Sequence, residues 1–285
     1  MSEHANQSVR FAIVTHPRCG SNLLSAALRG HPQIRMYGEL FNDEANERIR
    51  AFAAGVRNRP SEQIYYQAVR GTSYDGDQCA GTFLLTRIYL DPSTDRPAAI
   101  GFKIFHNQAR ATPLAKTAWD YLERDADVRI IHLVRRNLLQ MLLSLQTALT
   151  TNIWARQVGE AAPASLPILE FSSDEAETYF HDILEQRRET MTRLLSSPRR
   201  KMLTLEYERD LTSDLDCTLK RIQEFLDVPY VRLEPTLCKQ STLPMQQRIR
   251  NYEHLKRCFS NTPFGEFFAD DASIREASTA TFADC

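Results

Sequence analysis

Four short apolar runs constrain what this chain can fold into. Residues 10–15 (RFAIVT), 100–105 (IGFKIF), 128–134 (VRIIHLV) and 201–207 (KMLTLEY) are rich in branched and aromatic side chains and do not alternate apolar with polar. Runs of this length that stay apolar suit strands covered on both faces. Helical patterns lie between and after them. Residues 21–29 follow the first run directly, and Leu138, Met141, Leu142 and Leu145 recur at helical spacing after the third. A long amphipathic stripe runs from Ala176 through Phe180, Ile183 and Met191 to Leu195, and another from Leu215 to Leu226, stopped at Pro229. Strand–helix alternation of this kind predicts an α/β fold, a mostly parallel central sheet flanked by helices.

The rest of the composition fits one such unit. The chain has 285 residues, 42% hydrophobic and 25% charged, close to the ordinary globular balance. There is no repeat and no shift marking an internal boundary, so a single domain over 10–268 is expected, with a flexible tail over 269–285. The segment 159–167 (GEAAPASLP) reads as a surface loop. Thirty-five Lys and Arg against 36 Asp and Glu leave a net charge of −1. That argues against a dedicated nucleic-acid binder, which is usually basic overall. The six cysteines, Cys19, Cys79, Cys217, Cys238, Cys258 and Cys285, are widely spaced and match neither a zinc nor a redox motif. They read as free thiols in a reducing compartment. The polar first ten residues hold no leader-like apolar segment, so a cytoplasmic protein without a membrane span is expected.

The chemistry begins where the first strand ends, in Val14-Thr-His-Pro-Arg-Cys-Gly-Ser-Asn-Leu-Leu24. A strand, a tight turn at Gly20 and an opening helix present backbone N–H groups and the positive end of the helix dipole to an anion. Arg18, Ser21 and Asn22 add side-chain donors. The loop has one Gly and lacks the Gly-Lys-Ser/Thr of nucleotide hydrolases. Alone, it is equally an ordinary strand–turn–helix with Ser21 as cap. A second element follows the third strand, where Arg136 and Ser144 are eight residues apart. A helix starting near Asn137 would put Ser144 about two turns in, where an arginine fork and a hydroxyl could share one phosphate. Alone, that pair reads equally as a surface charge and a small core residue.

In this order the two elements resemble the sulfotransferase superfamily. Residues 11–42, FAIVTHPRCGSNLLSAALRGHPQIRMYGELFN, are similar to the opening of bacterial carbohydrate sulfotransferases, including the nodulation-factor type. Tyr207-Glu-Arg-Asp-Leu, the helix after it and Val228-Pro229 resemble a later family landmark. Lys239-Gln-Ser-Thr and Arg248-Ile-Arg-Asn-Tyr-Glu253 resemble the segment that closes over the nucleotide. The resemblance covers residues 10–265 and departs from the usual pattern at Cys19 and Asn22, where Ser or Thr is common. It implies a P-loop-like sulfotransferase fold and the co-substrate 3′-phosphoadenosine 5′-phosphosulfate (PAPS), with no metal. It implies that Arg18, Cys19, Gly20, Ser21, Asn22 and Leu23 hold the 5′-phosphosulfate and that Arg136 and Ser144 hold the 3′-phosphate. Tyr207, Lys239, Gln240 and Ser241 would complete the nucleotide site.

Transfer to a hydroxyl or amine needs a base. Glu39, in Tyr37-Gly-Glu-Leu-Phe41, stands where the carbohydrate-type enzymes place a carboxylate. His106, at the tip of the second apolar run, stands where cytosolic small-molecule sulfotransferases place a histidine, and imidazole suits neutral pH better. His16, beside the loop, is a lesser candidate. Catalytic roles therefore fall to Arg18, for the developing charge, and to Glu39 or His106. The acceptor is a carbohydrate, a glycolipid or a small natural product. Its pocket is expected from segments 42–89 and 150–171, which carry Tyr65, Tyr66, Tyr74, Tyr89 and Trp154. Aromatics of this kind stack on sugars and equally line apolar sites or a core. A degenerate nucleotide phosphotransferase and a catalytically silent nucleotide-binding protein remain alternatives from sequence alone.

Overall fold

The computed structural model describes residues 8–39, 41, 97–108, 113–161, 163, 165–241 and 243–269. The proposed acceptor segment 42–89, most of the expected tail, Cys79 and Cys285 lie outside the described residues. The elements in chain order are β1 (Val9–Thr15), α1 (Ser21–Arg29), β2 (Ile34–Glu39), β3 (Ala99–Phe105), α2 (Pro113–Arg124), β4 (Arg129–Val134), α3 (Leu138–Thr151) and β5 (Arg156–Gln157). After them come α4 (Ser173–Leu194), β6 (Met202–Glu206), a π-helical turn (Tyr207–Leu211), α5 (Leu215–Phe225), β7 (Leu237–Cys238), α6 (Met245–Arg248), α7 (Tyr252–Phe259) and a 3-10 turn (Pro263–Phe268).

Five strands form one sheet in the order β2-β3-β1-β4-β6, and every pairing is parallel. Its central strands β1, β3 and β4 are mostly apolar because successive side chains serve opposite, covered faces. Phe11 and Ile13 of β1 join a core with Ile131, Leu133, Leu142 and Phe180. Ala12 and Val14 join the opposite core with Ile100, Phe102, Trp119 and Leu122. Side chains close the N-termini of three flanking helices: Asn137 accepts from the Gln140 N–H, Ser172 from Glu175 and Asp214 from Cys217. Each satisfies a donor the helix itself leaves open.

The four apolar runs become β1, β3, β4 and β6, and residues 21–29 become α1 without change of boundary. A fifth strand, β2, ends at Glu39 and is not among the four apolar runs. Among the described residues that strand pairs only with β3, and Arg35 and Gly38 interrupt its apolar pattern. The stretch 159–167 is irregular and mostly exposed where described. Cys19, Cys217, Cys238 and Cys258 are free thiols. Among the described residues no helix is long and apolar enough to cross a membrane.

The registration of β1 on β3 depends on one small residue. Gly101 pairs with Phe11, and a Cβ on it would lie 2.4 Å from the Phe11 ring. Phe11 is completely buried. Gly101→Ala is therefore expected to destabilise the protein by about 1–3 kcal/mol, the usual cost of overpacking a filled core. Urea unfolding of the two proteins measures it; equal midpoints would show that the ring yields freely.

Candidate active site

The strand order fixes where a ligand can sit. From β1 the chain moves to β2 and β3 on one side, and from β3 it crosses to β4 on the other. Open parallel sheets bind ligands beyond the carboxyl ends of strands at such a switch point. A cleft of about 1900 Å³ opens there. Arg18, Gly20, Ser21, Asn22 and Leu23 line it from the β1–α1 loop, and Arg135 and Ser144 line it from the β4–α3 junction. Tyr207, Lys239, Gln240 and Ser241 line it from later in the chain, and so does Trp154.

Arg18 ties these segments together. Its Nε donates to Ser144 Oγ (2.9 Å), one terminal nitrogen to the Trp154 carbonyl (2.8 Å) and the other to Gln240 Oε1 (2.5 Å). Its backbone is left-handed, φ 67°, and Gly20 follows at φ 85°. A non-glycine residue in that region is costly and persists only where its surroundings hold it. Gly20 is required twice over, because a Cβ there would also lie 2.8 Å from the Tyr207 ring. Cys19 faces the other way. It is fully buried, its sulfur is 3.4 Å from Met141 Sδ, and burial raises its thiol pKa.

At the β4–α3 junction it is Arg135 that lines the cleft. Its terminal nitrogens donate to the Arg18 carbonyl (3.0 Å) and Gln140 (2.7 Å), and its guanidinium lies over the Tyr207 ring at 4.4 Å. Arg136 stands outside that wall, a third exposed, with Glu266 at 3.2 Å. Glu208 accepts from the backbone N–H groups of Arg136 (3.0 Å) and Asn137 (3.1 Å), so its charge sits at the positive end of α3. The sequence reading did not single out Arg135 or Glu208.

Glu39 is held by two donors. Lys103 Nζ, on β3, is 2.8 Å from its Oε1, and Gln108 donates to its Oε2 at 3.2 Å. Lys103 also donates to Asn22 Oδ1 (2.5 Å). The lysine is 3% exposed, and burial holds its pKa below the ordinary value against the opposing pull of Glu39. A lysine inside an apolar run was the available signal for this role. Glu39 lines the large cleft and a second recess of about 460 Å³; the two spaces also share Asn22, Ala155 and Leu237. His106 is elsewhere. It is fully buried, with its ring centroid 4.3 Å from His16 and 5.4 Å from His132, while its neighbours Phe105 and Asn107 line the cleft.

A model of the sulfotransferase family matches residues 11–232. Nodulation protein H of Rhizobium meliloti (strain 1021) is 28% identical over 267 residues, spanning 90% of this chain and 94% of that protein. Nodulation protein H of Rhizobium tropici is 28% identical over 268 residues, spanning 92% and 94%. Among solved structures, the sulfotransferase domain from the Synechococcus PCC 7002 olefin synthase aligns over 98% of this chain and 97% of its own, at 15% identity and a TM-score of 0.44.

Buried His132 gives the protein an acid limit. Burial, and then the nearby Arg187 charge, lower the His132 pKa from 6.5 to about 4. Between those values the unfolded chain holds a proton that the folded chain refuses. Stability should therefore be full above about pH 6.5 and fall by up to about 3 kcal/mol as the pH drops to about 4. In urea unfolding across that range, His132→Asn should reduce the slope against pH. Parallel slopes for the two proteins would show that His132 titrates normally.

Proposed function

Because the chain belongs to the sulfotransferase family, we propose that it moves a sulfonyl group from PAPS to a hydroxyl of a carbohydrate-type acceptor, with Glu39 as the base. The observation that carries this reading is the position of Glu39 on the wall of both the nucleotide-sized cleft and the adjoining recess. His106, sealed among histidines, has no comparable exposure. The wider similarity to carbohydrate-type enzymes favours the same residue.

The roles follow from the geometry. The acceptor oxygen gives its proton to Glu39 and bonds to sulfur while the bond from sulfur to the 5′-phosphate oxygen breaks. Lys103 and Gln108 each occupy one side of the carboxylate, and its remaining lone pairs can take the proton. The negative charge that develops on the leaving phosphate meets the N–H groups opening α1, Ser21 and Arg18. Donors fixed in place where charge appears stabilise a transition state most effectively. The transition state is treated as loose and in line, by analogy with phosphoryl transfer. Tyr207, Lys239, Gln240 and Ser241 enclose the nucleotide, and Ser144 with Arg136 takes its 3′-phosphate. The Arg136–Glu266 pair is at the surface, where such pairs are worth only about 0–1 kcal/mol, so a phosphate can replace it. Arg135 is already committed to Arg18, Gln140 and Tyr207, and it shapes the loop.

Two measurements test the reading. 3′-Phosphoadenosine 5′-phosphate should raise the unfolding temperature well beyond what adenosine monophosphate does, because stabilisation grows with the ratio of ligand concentration to Kd. Arg136→Ala should remove most of that preference. Equal shifts in the parent protein would overturn the assignment of the second phosphate. In turnover with radiolabelled donor, Glu39→Gln should lower the rate by about 10²–10⁴ while leaving donor affinity nearly unchanged. His106→Asn should cost much less. A fully active Glu39→Gln protein beside an inactive His106→Asn protein would transfer the role to the histidine.

A further inference from the structure

We infer that the recess beside Glu39 is the acceptor subsite and that Arg29 makes it selective for acceptors bearing an anionic group close to the reactive hydroxyl. This rests on the reading of Glu39 as the base. The recess is built on one face of α1, because Asn22, Ser25, Ala26 and Arg29 follow the spacing that puts side chains on one side of a helix. Gly38 and Glu39 close it from β2, and Gln157 and Leu237 of the β5–β7 pair face them.

Three observations give the space its chemistry. The Arg29 guanidinium is fixed at one end only. Its Nε donates to the Met36 carbonyl at 3.1 Å, and no carboxylate pairs with it among the described residues. The two terminal nitrogens are left as a fork, the arrangement that grips two oxygens of a carboxylate, sulfate or phosphate. Gly38 faces that fork, since a Cβ there would lie 3.4 Å from Arg29 Nη2, at contact distance. The fork therefore ends one residue from the base. Ser25, 2% exposed, has a buried hydroxyl without a hydrogen-bond partner, a polar group that a bound oxygen could satisfy. The charge balance agrees: among the described residues, Arg29 and Lys103 line the recess against the one carboxylate of Glu39. An acceptor with an acidic substituent next to its reactive hydroxyl, such as an acidic sugar, matches this pattern.

The test uses methyl β-glucuronide and methyl β-glucoside as a charged and neutral pair. Both are titrated by ligand-detected NMR into the full chain saturated with 3′-phosphoadenosine 5′-phosphate, so that the phosphate cradle cannot capture the anion. The glucuronide should bind at least about tenfold more tightly, as expected for charge-assisted hydrogen bonds. Arg29→Met should abolish the difference and leave glucoside binding unchanged. The 6-sulfate and 6-phosphate of the glucoside, run alongside, distinguish which anion is preferred. If loss of the Met36 contact unfolds Arg29→Met, Gly38→Val crowds the same fork from β2 and should erode the same preference. Equal affinities in the parent, or a preference that survives both substitutions, would overturn the inference. Failure of the nucleotide to bind would overturn the donor reading instead. The sugar comparison, repeated without nucleotide, would still decide the recess.

Discussion

The guanidinium of Arg18 is the point on which the site depends. It joins the first loop to the helix carrying Ser144, to the chain at Trp154 and to the segment at Gln240. The loop that places it is itself in a costly backbone conformation. That conformation persists because Arg135 holds the Arg18 carbonyl while the side chain makes three further bonds. The cleft wall is thus held together by the cation that would meet the leaving phosphate.

The turn after β6 is a second fixed point. A π-helical turn is rare and here does three jobs in four residues. Tyr207 packs beneath Gly20 and Arg135, Glu208 closes the start of α3, and Asp210 accepts from the Glu206 N–H and from Arg209 and Arg221. The β1–α1 and β4–α3 junctions, far apart in sequence, are set relative to each other by this one turn. Its spacing is therefore as constrained as that of the loop it supports.

Which parts of this were legible from sequence follows from where the physical cause lies. β1, β3 and β4 are mostly buried on both faces and β6 is half-buried, and the limits of all four fall within a residue of the apolar runs. β2 ends the sheet among the described residues, and Arg35 and Gly38 break its apolar pattern. α2 was missed because its buried residues, Ala118, Trp119 and Leu122, are scattered among polar ones. The loop residues Arg18 to Asn22 announce themselves locally, through a strand end, a glycine and a helix start. Lys103, Arg135 and Glu208 do not, because each acquires its role from partners tens of residues away. Glu39 lines open space while His106 is buried beside His16 and His132, a difference that the fold sets and local sequence does not show.

Cys19 occupies a position with a consequence for the cell's chemistry. A cysteine at the mouth of an anion-binding loop would ordinarily be the first thiol in a protein to meet peroxide or an alkylating agent, because the local positive potential favours thiolate. Here the sulfur points into the core against Met141, and its pKa is raised by burial. The loop thereby gains a small apolar anchor without a reactive handle. Among the described cysteines, oxidants should reach the exposed Cys217 and Cys258 before the buried Cys19 of this loop.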